Sequence, residues 1–112
     1  MTDKLNILWT TDNKETILNM IVMYAMNSKR HGWWKHVNLI IWGASARLIA
    51  SDTQVQTEIF EMLKLGITIE ACKACSDQIG VTSQLVHLGI DVKYMGESLT
   101  HYLTSGEKVL TI

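Results

Sequence analysis

The chain has 112 residues, 47% of them hydrophobic and 19% charged, with ten basic against eleven acidic side chains. This is one globular domain, 1–112, neither disordered nor fibrous in composition, and its formal charge of -1 excludes the broad basic footprint that nucleic acid requires. The longest dense apolar stretch, Met20 to Met26, is far short of the roughly 20 residues that span a bilayer, so no membrane partner is expected.

Met1-Thr2-Asp3-Lys4 shows no basic n-region, apolar h-region or cleavage site. The expected setting is cytoplasmic, where thiols stay reduced. Cys72 and Cys75 are then expected to be reactive groups or ligands rather than a structural staple.

Leu5 to Trp9 reads as a short buried strand, and Thr10-Thr11-Asp12-Asn13 supplies turn and N-cap chemistry. A helical pattern runs from Lys14 to about Lys29, closed by His31-Gly32. Its residues Ile17, Leu18, Met20 to Met26 point in nearly every direction around the axis, and a helix apolar all round must be covered on all sides. A homo-oligomer with this helix at the contact, joined by the Trp33-Trp34 loop, is expected.

Val37 to Trp42 is a nearly continuous apolar run of the parallel-sheet kind, broken by Gly43-Ala44-Ser45. A helix starts near Ala46; another covers Thr53 to Leu65, with Asp52 as its cap and Gly66 as its stop. Ile67 to Ala71 is a third strand ending at Cys72, followed by a helix from Lys73 to Ile79. Thr82 or Ser83 caps a short helix to Leu88, Ile90 to Tyr94 is a strand, Glu97 to Leu103 a helix and Lys108 to Ile112 the last strand. Strands alternating with helices at these lengths mean βαβ units around a mainly parallel sheet, an α/β fold. In such sheets ligands bind beyond the carboxyl ends of the strands. Thr10, Thr11 and Asp12, Gly43 to Ser45, Cys72, and Met95 to Glu97 are therefore expected on one rim.

Cys72-Lys73-Ala74-Cys75 is a CxxC at a strand-to-helix corner. The free N–H groups and positive dipole end there favour a thiolate, and Lys73 adds to the effect. The competing reading makes both residues small buried hydrophobes. Cys72 is the expected nucleophile, with Cys75 one turn further on. A thioredoxin-like centre is disfavoured, because that family sets a cis-proline opposite its disulfide and this chain has no proline. A zinc site would need His87 and His101, whose spacing does not fit finger modules, so no metal is assigned. Gly43-Ala44-Ser45-Ala46-Arg47 opens a helix with backbone N–H groups and the Ser45 hydroxyl as candidate anion ligands, against the reading of an ordinary helix start. Lys29 to His36 interleaves cations with Trp33 and Trp34, as a single-strand nucleic-acid platform does, but such tryptophans more often pack on a core or a neighbouring subunit.

Five phrases in order resemble the DsrE/DsrF-like family, in its stand-alone branch: Leu8-Trp9-Thr10-Thr11-Asp12, Gly32-Trp33-Trp34, Ile41-Trp42-Gly43-Ala44-Ser45, Glu70 to Cys75, and Lys93 to Thr100. The resemblance runs almost end to end. It implies a three-layer α/β sandwich, of Rossmann or flavodoxin-like kind, around a five-stranded, largely parallel sheet, assembling as trimers or hexamers. In the family's sulfur-trafficking branch, one cysteine at the strand-to-helix corner takes sulfur as a persulfide and passes it on, without a cofactor. Cys72 stands at that corner, whereas Cys75 is not part of the carrier pattern.

The leading expectation is a sulfur relay between donor and acceptor proteins, with Cys72 as nucleophile and Thr11, Gly43 and Ser45 steadying the sulfur anion. The alternatives are a dithiol redox protein using Cys72 and Cys75, or a non-catalytic oligomeric module holding a small ligand or metal.

Overall fold

In the computed structural model, which describes residues 3–112, the five apolar runs become one sheet. Met1 and Thr2, half of the segment read above for a leader peptide, lie outside the described residues. The strands are β1 (Lys4–Trp9), β2 (His36–Ile41), β3 (Thr68–Cys72), β4 (Asp91–Lys93) and β5 (Lys108–Thr111). They lie in the order β4-β3-β2-β1-β5 and every pairing is parallel. The α/β fold read from the sequence is the fold observed.

The helices are α1 (Lys14–Thr16), a π-helical segment (Ile17–Val22), α2 (Met23–Arg30), α3 (Ser45–Ser51), α4 (Thr53–Lys64), α5 (Lys73–Ile79), α6 (Thr82–His87) and α7 (Gly96–Thr104). Steps from β1 to β4 run one way across the sheet, and the step from β4 to β5 runs back past β1. Parallel crossovers are right-handed. The first three connections therefore fall on one face and the last on the other.

The two faces differ accordingly. Leu5, Ile7, Trp9, Val37, Leu39, Ile41, Ile69 and Ala71 point into the main core, where Ile17, Ile21, Ile49, Ile59 and Leu85 of the helices meet them. Leu8, Ile40 and Cys72 point the opposite way, into a small cluster with Met95, Leu99 and Tyr102 around α7. The outer layers of the sandwich are thus unequal.

Local chemistry sets the helix ends. The Asn13 side chain accepts from the Thr16 N–H at 2.9 Å, and Asp52 accepts from the Val55 N–H at 3.0 Å, as its place before α4 suggested. Gly80 ends α5 at φ +86, a left-handed conformation that side chains with a Cβ avoid. The caps expected at Thr82 and Ser83 are not found: Thr82 lies inside α6, preceded by Val81 at the N-cap, and its hydroxyl joins Asp77 and Ser76 instead. Trp42 lies just past β2 and ties its N–H to the Trp9 carbonyl at 3.2 Å.

The first long helix also departs from expectation. Its wider π turn lines Ile17, Ile21 and Val22 up with Ala25 and Met26 on the core side. Met20 and Met23 remain exposed, the latter by 52%, so the segment is not covered on all sides within one chain.

Leu39 in the central β2 strand is fully buried. Leu39→Ala is expected to lower the unfolding free energy by about 2–5 kcal/mol, read from urea titration.

Candidate functional site

The carboxyl ends of the strands are knitted together by backbone hydrogen bonds. Thr10 N–H and Thr11 N–H donate to the Ile112 carbonyl at 2.7 and 3.2 Å, joining the end of β1 to the end of β5. Ser45 N–H donates to the Thr10 carbonyl at 3.2 Å, joining the start of α3 to the end of β1. All the rim residues named from the sequence are brought to this edge, but they use their polar groups differently.

Ser45 is fully buried, and its hydroxyl donates to the Trp9 carbonyl at 2.7 Å, with the Trp42 carbonyl at 3.1 Å. A hydroxyl has one proton to give, and here the backbone takes it. Ser45 therefore fastens the β2–α3 turn to β1 and does not present its hydroxyl to a ligand, which corrects the expectation. Thr11 is likewise engaged locally: its Oγ1 accepts from the Asn13 N–H at 3.1 Å, and its carbonyl accepts from the Trp9 indole at 3.1 Å.

Gly43 turns its backbone toward a thiol. It adopts φ +74, and its N–H points at the Cys75 sulfur, 3.1 Å away. The Cys75 thiol faces the Gly43 carbonyl in turn at 3.6 Å. Cys75 is half-buried; Cys72 is 5% exposed, the last residue of β3 and the N-cap position of α5. Both cysteines are free thiols. The Lys73 ammonium lies 2.7 Å from Asp77 and 5.4 Å from the centre of the Tyr94 ring. Its charge pairs with Asp77.

Beside Cys72 lies a polar chain that the sequence reading did not identify. Glu70 is 6% exposed and two residues before Cys72, on the same face of β3. Its Oε1 accepts from the Asn38 amide and the Tyr102 hydroxyl, both at 2.7 Å, and its Oε2 lies 2.6 Å from the Lys93 ammonium. Lys93 is the register partner of Cys72 across β3 and β4. Asn38 continues to Asn6 at 3.0 Å, and Asn6 to Glu107 at 3.0 Å, so four strands and α7 are linked by side chains. A cleft of about 380 Å³, lined by Lys4, Asn38, Thr68, Glu70, Asp91 and Tyr102 among others, opens over this chain.

The chain is 64% identical to BT1422, a conserved protein of unknown function from Bacteroides thetaiotaomicron, over 98% of its own length and 95% of the other, with a TM-score of 0.97. The chain belongs to that protein's family. MTH1491, a protein of unknown function from Methanobacterium thermoautotrophicum, is 13% identical over 97% of this chain and 98% of its own, with a TM-score of 0.80. The ychN protein from E. coli is 16% identical over the whole of both chains, with a TM-score of 0.66. These two likenesses are of fold. No protein-family model and no curated protein matches the chain.

The polar chain had a signal in the sequence. Asn6, Asn38 and Glu70 each interrupt an apolar strand, and alternation puts all three on the face opposite the main core. Elsewhere the named residues stay apart from the rim. His87 is exposed and bonds the Ser83 carbonyl, and His101 is exposed near Ser105. Among the described residues no group of three or more His, Cys, Asp or Glu is placed to hold a metal ion. Trp34 donates to the Tyr24 hydroxyl at 3.1 Å and packs on the core, while Trp33 stacks on His31 and is 58% exposed. No helix among the described residues is long and apolar enough to cross a membrane.

Burial pushes the Glu70 carboxyl up, but the hydrogen bonds from Lys93, Tyr102 and Asn38 together outweigh it and hold the group below its ordinary value of 4.5. Burial and the adjacent Glu70 charge push the Tyr102 phenol up to about 12. Below the ordinary carboxylate range the unfolded chain takes up the Glu70 proton first, so stability rises with pH across that interval. The contribution is complete above 4.5 and is lost as pH falls through the lowered native value. Asp52, Asp77 and Glu107 are lowered too, so the diagnostic quantity is a difference. Between pH 7 and pH 3, Glu70→Gln is expected to lose less stability than the parent in parallel urea titrations; equal losses would remove Glu70 from the acid sensitivity.

Proposed function

We propose that this chain is a sulfur-relay protein of DsrE/DsrF-like kind, with Cys72 as the carrier. Two unpaired cysteines at the β3–α5 corner, one of them under the Gly43 N–H, are the observation that supports the reading. As a thiolate, Cys72 attacks the outer sulfur of a donor persulfide. A new S–S bond forms, the donor's S–S bond breaks, and the donor leaves as a thiolate, so no oxidant or cofactor is consumed. An acceptor thiolate then takes the outer sulfur and returns Cys72 to its starting state. Gly43 contributes an N–H to sulfur at this edge, and a reducing, cytoplasmic setting keeps both thiols available.

One observation favours a second reading. Cys75 is the more accessible sulfur and lies one helical turn from Cys72, an arrangement in which an outer thiol reacts and an inner one resolves. The pair would then close to a disulfide, giving two electrons and two protons to a substrate.

Intact-protein mass after anaerobic exposure to a persulfide donor separates these readings in the parent, Cys72→Ser and Cys75→Ser. The relay requires a gain of whole sulfur atoms that depends on Cys72 and survives loss of Cys75. Loss of two hydrogens that needs both residues would replace it with dithiol chemistry. An unchanged mass in every variant would replace both with a non-catalytic oligomeric module that binds a small ligand or metal.

The proposal includes a homo-oligomer, a trimer or hexamer, formed through the exposed side of the π segment and α2. Met20, Met23 and Trp33 there line an apolar depression of about 260 Å³ with Asn19, Tyr24 and Asn27. Size exclusion with light scattering is expected to give a multiple of 12.7 kDa, and Met23→Glu to shift it toward the monomer. A parent that elutes as a monomer would end the claim.

A further inference from the structure

The Cys72 sulfur is proposed to meet a donor, yet the residue is 5% exposed and clusters with Ile40 and Met95; Leu8, Trp42 and Cys75 pack against this cluster from the sheet and α5, and Leu99 and Tyr102 from α7. Leu99 and Tyr102 stand three residues apart, on one side of α7. α7 has no fully buried residue, and its two ends are held elsewhere: Met95 is sunk into the cluster, and Glu107 is bound by Asn6 and Lys4. Between those ends, the polar fastening of α7 to the sheet is Tyr102. Its hydroxyl donates to Glu70 at 2.7 Å, and the Lys4 ammonium sits 4.0 Å from the centre of its ring. Asn38 and Lys93 hold the acceptor Glu70 in place.

From this geometry we infer that α7 is a latched cover over the Cys72 sulfur, and that Tyr102, bonded to Glu70, is the positioning residue that sets how often it opens. A helix fixed at both ends and held between them by one hydroxyl and a few half-buried side chains opens locally, at lower cost than the whole domain. A phenol donating to a buried carboxylate is among the stronger neutral-to-charged hydrogen bonds, so its loss shifts such an opening by a measurable factor. The inference gives the proposed relay its access step. It rests on that reading for its purpose, but not for its test.

The test is the rate at which N-ethylmaleimide labels Cys72 under native conditions, with Cys75→Ser as the parent background so that Cys72 is the sole thiol. Tyr102→Phe is expected to raise the rate about tenfold, the factor that corresponds to about 1.4 kcal/mol. Asp52→Ala, which removes the cap of α4 on the opposite face, is expected to leave the rate unchanged while lowering global stability. Equal rates for Tyr102→Phe and its background would overturn the latch, and so would an equal acceleration by Asp52→Ala. Should Tyr102→Phe fail to fold, the background protein alone decides. Cover opening predicts that labelling in low urea rises with a slope that is a fraction of the global unfolding slope, whereas a slope equal to it means that Cys72 reacts only from the unfolded chain. A chain that takes no sulfur from a persulfide but labels in this pattern would lose the relay and keep the cover.

Discussion

Because β5 returns to the far side of β1, one connection only crosses the Glu70 face of the sheet, and that connection is α7. Right-handed crossover sends the longer helical segments to the other face, where they bury Ile7, Trp9, Leu39 and Ile41. A nine-residue helix cannot cover five strands. The lower part of its face therefore stays open as the cleft over Glu70, while the upper part holds Cys72 beneath Leu99 and Tyr102. The placement of the thiol under a thin cover follows from strand order.

The polar chain solves a problem that this topology creates. A sheet face with so little above it cannot be uniformly apolar without exposing a large patch. Asn6, Asn38 and Glu70 place hydrogen-bonding groups there and satisfy one another, so the face needs no second layer of helices. The same residues fix register. A slip of one position would turn Asn6 or Asn38 into the main core, where no partner waits, and would bring Ile7 or Leu39 out. Glu70 adds the firmest constraint, because a buried carboxylate must keep Lys93, Tyr102 and Asn38 close to remain charged. β2, β3, β4 and α7 are thus locked by one side chain.

What the sequence reveals is set by how local each cause is. β2, α4 with its Asp52 cap, and α5 with its Gly80 stop depend on neighbours within a few residues, and they were readable to within one or two positions. The CxxC corner was readable for the same reason, since Cys72 ends a strand and precedes a helix in the chain itself. The π segment was not, because its wide turn is selected by packing of Ile21 and Val22 against the core rather than by composition. Ser45 shows the limit most clearly. Its sequence context fits an anion ligand and a structural tie equally well, and only the nearby Trp9 carbonyl, 36 positions away in the chain, decides between them. Glu70 and Tyr102 are 32 positions apart, so their pairing required the sheet before it could be seen.

The two cysteines, three residues apart, border the same small cluster but differ in burial and in partners. Cys75 lies on α5 where the helix passes the Gly43 turn, and a backbone N–H meets its sulfur. Cys72 is buried with Ile40 and Met95, and Leu99 and Tyr102 of α7 pack against them together with Trp42 and Cys75 itself. An apolar enclosure keeps a thiol from adventitious oxidation while it stays shut. A reagent that reaches Cys72 must first displace part of that enclosure, and the polar chain of Glu70, Lys93 and Tyr102 lies beside it. The enclosure of Cys72 and the bonding of Glu70 thus share Tyr102, which packs on the one and donates to the other.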